Sequence, residues 1–515
     1  MTKGDVHRYH DGTKHHFHRF ARSLGHLDWT SQPHPFRSFA GAPPIELRAL
    51  TLAAAGVLRY SLGLSAWKEL RRPGAGAPSA RWSLRVNPSS GNLHPTEAYV
   101  IAGPGAGLGA AGVWHYAADR HALERRCAFA ESPFADEDRT FLIALTSIHW
   151  REAWKYGERA FRYCQHDLGH AIAAVSIASS LHDLDARLLP GWSHDDIAAA
   201  TGIDRDEDYP DAEREEPGCV LEIGQASSGL RAAVLAAARA GVWTGRASQL
   251  SGEHVQWTFI DEIAAATRDG RRCAPPAAAP RERSAYSKAL ILQRRSAVAL
   301  DGASSIGADR FFEILDRAMP RAGVAPWDAL WWDARIHFAL FVHRVAGLVP
   351  GLYAFVRNDA ATDRLRAACR RDFEWTRAHS DLPLFLLARG DCRALARRLS
   401  CDQDIAADGF FSLGMIADFD ASLDAFGASF YRHLFWESGF VGQALYLEAE
   451  AKGARATGIG CFYDDPVHDV LGLQDHAFQS LYHFTIGIPV EDARLTTEPG
   501  YAWEADFLPP RPSAV

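Results

Sequence analysis

Arg85-Val86-Asn87-Pro88-Ser89-Ser90-Gly91-Asn92-Leu93-His94-Pro95-Thr96-Glu97 is the stretch on which the fold turns. Two prolines, a glycine, two serines and an asparagine stand between a basic lead-in and the apolar run Ala98–Ala102. Proline fixes the ends of such a loop, while glycine, serine and asparagine bend it and bring backbone N–H groups and hydroxyls close together. That surface suits a flat ligand with polar edges. An ordinary turn before a strand has the same composition, so the rest of the chain must decide.

The 515 residues, 47% hydrophobic and 23% charged, read as globular protein with room for two to four domains. A formal net charge of −8 gives no basic field for nucleic acid. Eight cysteines are scattered without a C-x-x-C pair, which fits a reducing compartment better than a disulfide framework or structural zinc. The histidine-rich N-terminus lacks an apolar signal core, and no run approaches the roughly 20 apolar residues of a spanning helix. A cytoplasmic protein is expected. His7, His10, His15, His16, His18, His26 and His34 match no metal-ligand spacing, so a solvated, partly ordered lead-in is expected instead.

The chain repeats itself in order. Arg59-Tyr60-Ser61 answers to Arg294-Arg295-Ser296, and Gly112–Tyr116 to Gly351–Phe355. Gly169–Ile172 answers to Gly442–Leu445, and Cys219–Gly224 to His483–Gly487. Conserved order at low identity points to duplication. Phe161, Cys164, Leu168, Ile172, Val175 and Ser179 recur at helical spacing as one buried face. Strands are predicted at Ala98–Ala102, Phe338–Val342, Leu384–Leu387 and Tyr482–Ile488. The expected class is α+β, each half a mainly antiparallel sheet flanked by helices. Expected boundaries are 1–44 for the leader, 45–225 and 284–500 for the domains, and 501–515 for a tail. Residues 226–283 would form a connecting arm ending in a Pro/Ala-rich linker.

The opening loop closely resembles the flavin-binding loop of the nitroreductase superfamily, and within it the SagB-type (McbC-like) dehydrogenases. The resemblance implies two fused nitroreductase-like domains forming an intramolecular pseudo-dimer, with FMN at the interface between them. It also implies an Arg-Arg-Ser phosphate site at Arg294, Arg295 and Ser296, departing from the family at Val298, where a further basic residue is common. Arginine suits phosphate through its planar charged fork. Thr457, Gly458, Ile459 and Gly460 resemble the segment along the flavin ring, and Arg494 is a candidate second phosphate contact. Pro88, Ser89, Ser90 and Asn92 supply the loop. Its second-half partner, near Val324–Trp327, keeps no serine, and Arg187–Trp192 has lost the Gly-x-Gly. One complete FMN site and one eroded cleft are therefore expected.

Lys155-Tyr156 resembles the Lys-Tyr motif of azoline dehydrogenases. The resemblance implies Lys155 as a base and Tyr156 as the residue that orients it or relays the proton. Arg159 and Arg162 would bind flavin or a substrate carboxylate, or pair with Glu158 and Asp167. Two other readings stay open. One is an NAD(P)H-driven reductase of nitro-aromatics, quinones or a small metabolite; the other is a non-catalytic flavin-binding scaffold. The substrate is thus a small molecule or a modified peptide, the latter implying a cyclodehydratase-type partner.

Overall fold

The computed structural model describes residues 2–48, 52–71, 78–135, 137–224, 229–269 and 286–506. The Pro/Ala linker predicted before residue 284 lies outside these residues. Strands β1 (Leu64–Leu70) and β2 (Ala80–Arg85) lead into the quoted loop. The first sheet contains β3 (Thr96–Ala102), β4 (Gly112–Ala117), β5 (Ala122–Ala128), β6 (Phe141–Ser147), β7 (Ala186–Leu188) and β8 (Glu216–Ile223). The second contains β9 (Ile336–Val342), β10 (Gly351–Phe355), β11 (Leu384–Arg389), β12 (Phe411–Asp418), β13 (Arg455–Ile459) and β14 (Phe478–Gly487).

These strands lie in the orders β5-β4-β3-β6-β8-β7 and β11-β10-β9-β12-β14-β13, antiparallel throughout. The two halves therefore share one topology, as the ordered repeat implied. Their registers agree as well. Ala98 faces Leu145 and Leu145 faces Cys219, while Phe338 faces Met415 and Met415 faces Tyr482. Each predicted strand forms.

Helix α1 (Lys3–Gly12) corrects the expectation of a solvated leader, because Val6, Tyr9 and His10 are buried. His10 Nε2 lies 3.0 Å from Gln479 Oε1, and Lys3 donates to Asp424 at 2.8 Å, so the leader packs on the second half. The end of the chain crosses the other way. Strand β15 (Leu495–Pro499) pairs with β1, and the Tyr501 hydroxyl donates to the Ala118 carbonyl at 2.7 Å. Residues 501–506, expected to begin a tail, are thus tied to the first half.

Helices α2 (Ala53–Arg59), α3 (His149–Tyr156), α4 (Ala160–Ser180), α5 (Lys288–Gln293) and α6 (Phe430–Ala451) complete the frame. Helix α4 was predicted to bury one face. All 21 of its residues are buried, because α6 packs along the side facing away from the sheet. Gly169 lets the two backbones approach, since a side chain there would strike the Trp436 backbone.

Candidate functional site

A cleft of about 450 Å³ opens between the halves, within the range of small-molecule sites. Pro88, Ser89, Ser90, Gly91 and Asn92 line one side; Arg294, Arg295, Ser296, Thr457, Gly458, Ile459 and Gly460 line the other. Tyr156, Tyr163, Asp167 and His170 reach it from α3 and α4. Three segments far apart in sequence thus meet at one place. Arg494 stands apart: its side chain is 71% exposed and pairs with Asp492 at 2.7 Å.

The second-half segments are stitched together by backbone and hydroxyl. Ser296 bridges Ala456, and Ala297 N–H donates to the Ala456 carbonyl at 3.1 Å. Thr457 Oγ1 donates to the Ala297 carbonyl at 2.6 Å. Tyr446 of α6 accepts from the Gly458 N–H and lies 2.9 Å from Ser296 Oγ. Neighbouring side chains also leave room for nothing larger than glycine here. A side chain at Gly458 would collide with the Tyr482 hydroxyl, and one at Gly460 with the Tyr163 ring.

The cleft carries positive charge at its Arg294 end. The Arg294 guanidinium sits 4.9 Å from the Tyr446 ring centroid and donates to the carbonyls of Arg85 and Val86. Its buried Nε has no hydrogen-bond partner among the described residues. Arg295 donates to the carbonyls of Leu292, Arg294 and Ser65. A buried guanidinium with a donor to spare, beside a second arginine, suits an anion such as phosphate. Val298, 87% exposed, also lines the cleft but its side chain brings no charge or donor to an anion.

The loop serines turn inward. Ser90 donates to Asp167 through its N–H at 3.1 Å and its hydroxyl at 3.0 Å, while Ser89 Oγ accepts from the His94 N–H at 2.8 Å. Asn92 is held by Ser83 and His94. Beneath the loop lie two fully buried carboxyl groups, Glu152 and Asp167. Burial, with the neighbouring Asp167 charge, pushes Glu152 well above its ordinary value; burial pushes Asp167 up to about 7. Sequence reading missed this pair, since nothing in the spacing of Glu152 and Asp167 joins them until α3 and α4 fold.

Lys155 and Tyr156 end α3 directly under Gly91, whose φ is +59°. A β-carbon at Gly91 would sit 2.6 Å from the Tyr156 hydroxyl and 3.2 Å from Lys155 Nζ, so glycine leaves these two head groups beside the cleft. Burial and the Glu152 charge raise the Tyr156 phenol well above its ordinary range. Arg159 and Arg162 pair with neither Glu158 nor Asp167, the acids expected as their partners. Both pair at 2.8 Å with the buried Asp464 and bind the halves together.

No protein-family model matches the chain, and no curated protein matches it. A solved structure from Anabaena variabilis, described as a "putative nitroreductase", superimposes with a TM-score of 0.68 at 20% identity, covering 94% of this chain and 99% of that one. The fold is nitroreductase-like. Two shorter matches are the E. coli microcin synthetase McbBCD complex with truncated pro-MccB17 bound and the NADPH:FMN oxidoreductase of Vibrio harveyi complexed with NAD+. The first has TM-score 0.30 and 16% identity, covering 39% of this chain and 70% of that one. The second has TM-score 0.23 and 13% identity, covering 39% and 68%.

The two nitroreductase-like halves do not offer equal clefts. The counterpart cleft measures about 70 Å³ and is lined by Trp331, Phe426, Phe430, His433 and Trp436. Trp331 meets Phe426 edge-on at 5.7 Å, and Phe430 stacks on His433 at 5.1 Å. The strand register puts Leu188 where the nitroreductase-like fold has Gly458 in its other half. Lys155-Tyr156 ends an eight-residue helix as Ala425-Phe426 ends Phe419–Phe426. Arg59, the counterpart of Arg294, pairs with Glu504. The register also moves the loop's counterpart from the predicted Val324–Trp327 to residues 328–332, again without serine.

Proposed function

We propose that the protein is an FMN-dependent oxidoreductase of the SagB type that holds one flavin per chain between two nitroreductase-like domains, 45–225 and 284–500. The two would form an intramolecular pseudo-dimer joined by 226–283. The observation that carries the reading is the meeting of Pro88–Asn92, Arg294–Ser296 and Thr457–Gly460 in one cleft beside Lys155 and Tyr156.

The residues fit the cofactor. The Nε of Arg294, unpartnered among the described residues and next to Arg295, suits the phosphate, and the walls at Pro88–Asn92 and Gly458–Gly460 suit a planar ring. When bound, FMN supplies two-electron chemistry through N5. The chain supplies position and proton handling. Oxidising an azoline ring of a modified peptide removes a proton from one ring carbon, and Lys155 is the acceptor in this reading. Tyr156, held protonated by burial, orients that amine as a hydrogen-bond donor. Asp167, raised to about 7, and Glu152 give the proton a buried relay below the loop.

Visible absorbance and chromatography of the released cofactor test the reading. One FMN per chain is the expected result. Two per chain would remove the eroded-cleft argument, and none after adding FMN would overturn the function.

A further inference from the structure

Cys401 and Cys461 are 60 residues apart in sequence, yet their sulfurs lie 2.7 Å apart. Cys401 follows the helix Arg393–Leu399 and Ser400; it and Asp402 have φ values of +55° and +57°, and the tight turn they make brings the thiol against Cys461. Cys461 follows Gly460 and is itself part of that wall. Gln403 joins the two turns, donating to the Ser400 carbonyl at 2.7 Å and the Cys461 carbonyl at 3.1 Å. His15 Nδ1 lies 3.8 Å from the Cys461 sulfur, and Asp464 fixes it through the His15 N–H and carbonyl.

A cation held by His15, Cys401 and Cys461 is one reading of this cluster. The spacing argues against it. Two thiolates on a tetrahedral zinc stand about 3.8 Å apart, given Zn–S bonds of about 2.3 Å. Sulfurs at 2.7 Å leave no room for an ion between them and are closer than unbonded sulfurs pack. The chemistry of the pair is also distinct. Cys127, Cys164, Cys219, Cys369 and Cys392 are buried, and burial raises each of their thiols. Cys401 and Cys461 are half-buried. The hydrogen bond with Cys401, followed by His15, lowers the Cys461 thiol despite its burial.

We propose that Cys401 and Cys461 form a redox-active pair that closes reversibly to an intramolecular disulfide in the wall of the cleft. A low-molecular-weight disulfide, RSSR, is the oxidant. The Cys461 thiolate attacks one of its sulfurs, the RS–SR bond breaks, and RS⁻ leaves. The Cys401 thiol then gives up its proton to that RS⁻ and attacks the Cys461 sulfur, forming the Cys401–Cys461 bond and expelling the second RS⁻. Two cysteines lose two electrons while one RSSR becomes RSH and RS⁻. The step needs no flavin and stands apart from the proposed function.

The test treats the reduced full-length protein with oxidised glutathione, then maps alkylated peptides by mass spectrometry. The expected product lacks two hydrogens and links the Cys401 and Cys461 peptides. The variant Cys401→Ser should stop at a glutathione mixed disulfide on Cys461, while Cys461→Ser should give neither product. Serine preserves the side-chain shape, and circular dichroism checks folding of both variants. The proposal fails if both thiols of the treated wild type still alkylate freely, or if Cys401→Ser takes up no glutathione. Stoichiometric zinc in the purified protein, lost in His15→Ala, would overturn it in favour of a metal site.

Discussion

Gly169 and Gly439 make reciprocal contacts across the crossing of α4 and α6. A side chain on Gly169 would strike the backbone of Trp436, and one on Gly439 would strike the backbone of His166. Each glycine therefore meets the residue three positions before the other. The two helices are related as equivalent elements through these glycines, and the repeat register pairs Gly169 with Gly439, one turn before Gly442.

Because the obstacle at Gly169 is backbone, neighbouring side chains cannot relieve it by changing rotamer. Alanine in a helix normally gains about 1 kcal/mol over glycine. Here Gly169→Ala should nevertheless be destabilising, by about 1–3 kcal/mol as overpacked cores are, and Gly439→Ala should behave alike. Urea midpoints check this; an unchanged or raised midpoint would count against close helix contact.

Lys155→Ala should lower turnover of an azoline substrate by about 100-fold or more while the flavin absorbance stays. Loss of the flavin along with the activity would make Lys155 a cofactor or structural residue.

Arg294 lines the cleft with a donor to spare, whereas Arg494 is occupied by Asp492. Hydrogen bonds to a charged group contribute about 1.5–3 kcal/mol, so Arg294→Ala and Arg295→Ala should each weaken FMN binding by roughly 10–100-fold. Arg494→Ala should leave it unchanged. Flavin titration of the apo-protein separates the three, and equal losses in all of them would contradict the placement.

Burial raises Asp167 from 3.8 to about 7. The folded protein then binds this proton more tightly than the unfolded chain does. The resulting stabilisation is complete below 3.8 and is lost as pH rises to about 7. Asp167→Asn stays neutral throughout, so the wild-type urea midpoint should fall relative to the variant across that window. Parallel curves would show that Asp167 titrates normally.

Much of this protein was legible in its sequence. The Pro-Ser-Ser-Gly loop, the Arg-Arg-Ser triplet and the Gly-x-Gly segment are local, and their chemistry depends on residue type at adjacent positions. The strands at Ala98 and Phe338 carry their signal in short apolar runs. Duplication showed in the order of matched pieces. These readings needed no knowledge of what packs on what.

Tertiary structure decided the rest, because the remaining facts concern partners distant in the chain. Helix α4 is buried on every side because a second helix covers it, which a single-face periodicity does not reveal. Arg159 and Arg162 turned to Asp464 rather than to nearby acids. Glu152 met Asp167, and Cys461 met Cys401, across gaps no spacing rule spans. Leu188 and the ring cluster around Trp331 line a counterpart cleft narrowed to about 70 Å³. Residue type fixes what chemistry is available locally, whereas burial and long-range contact decide which groups share a proton, a charge or a cavity.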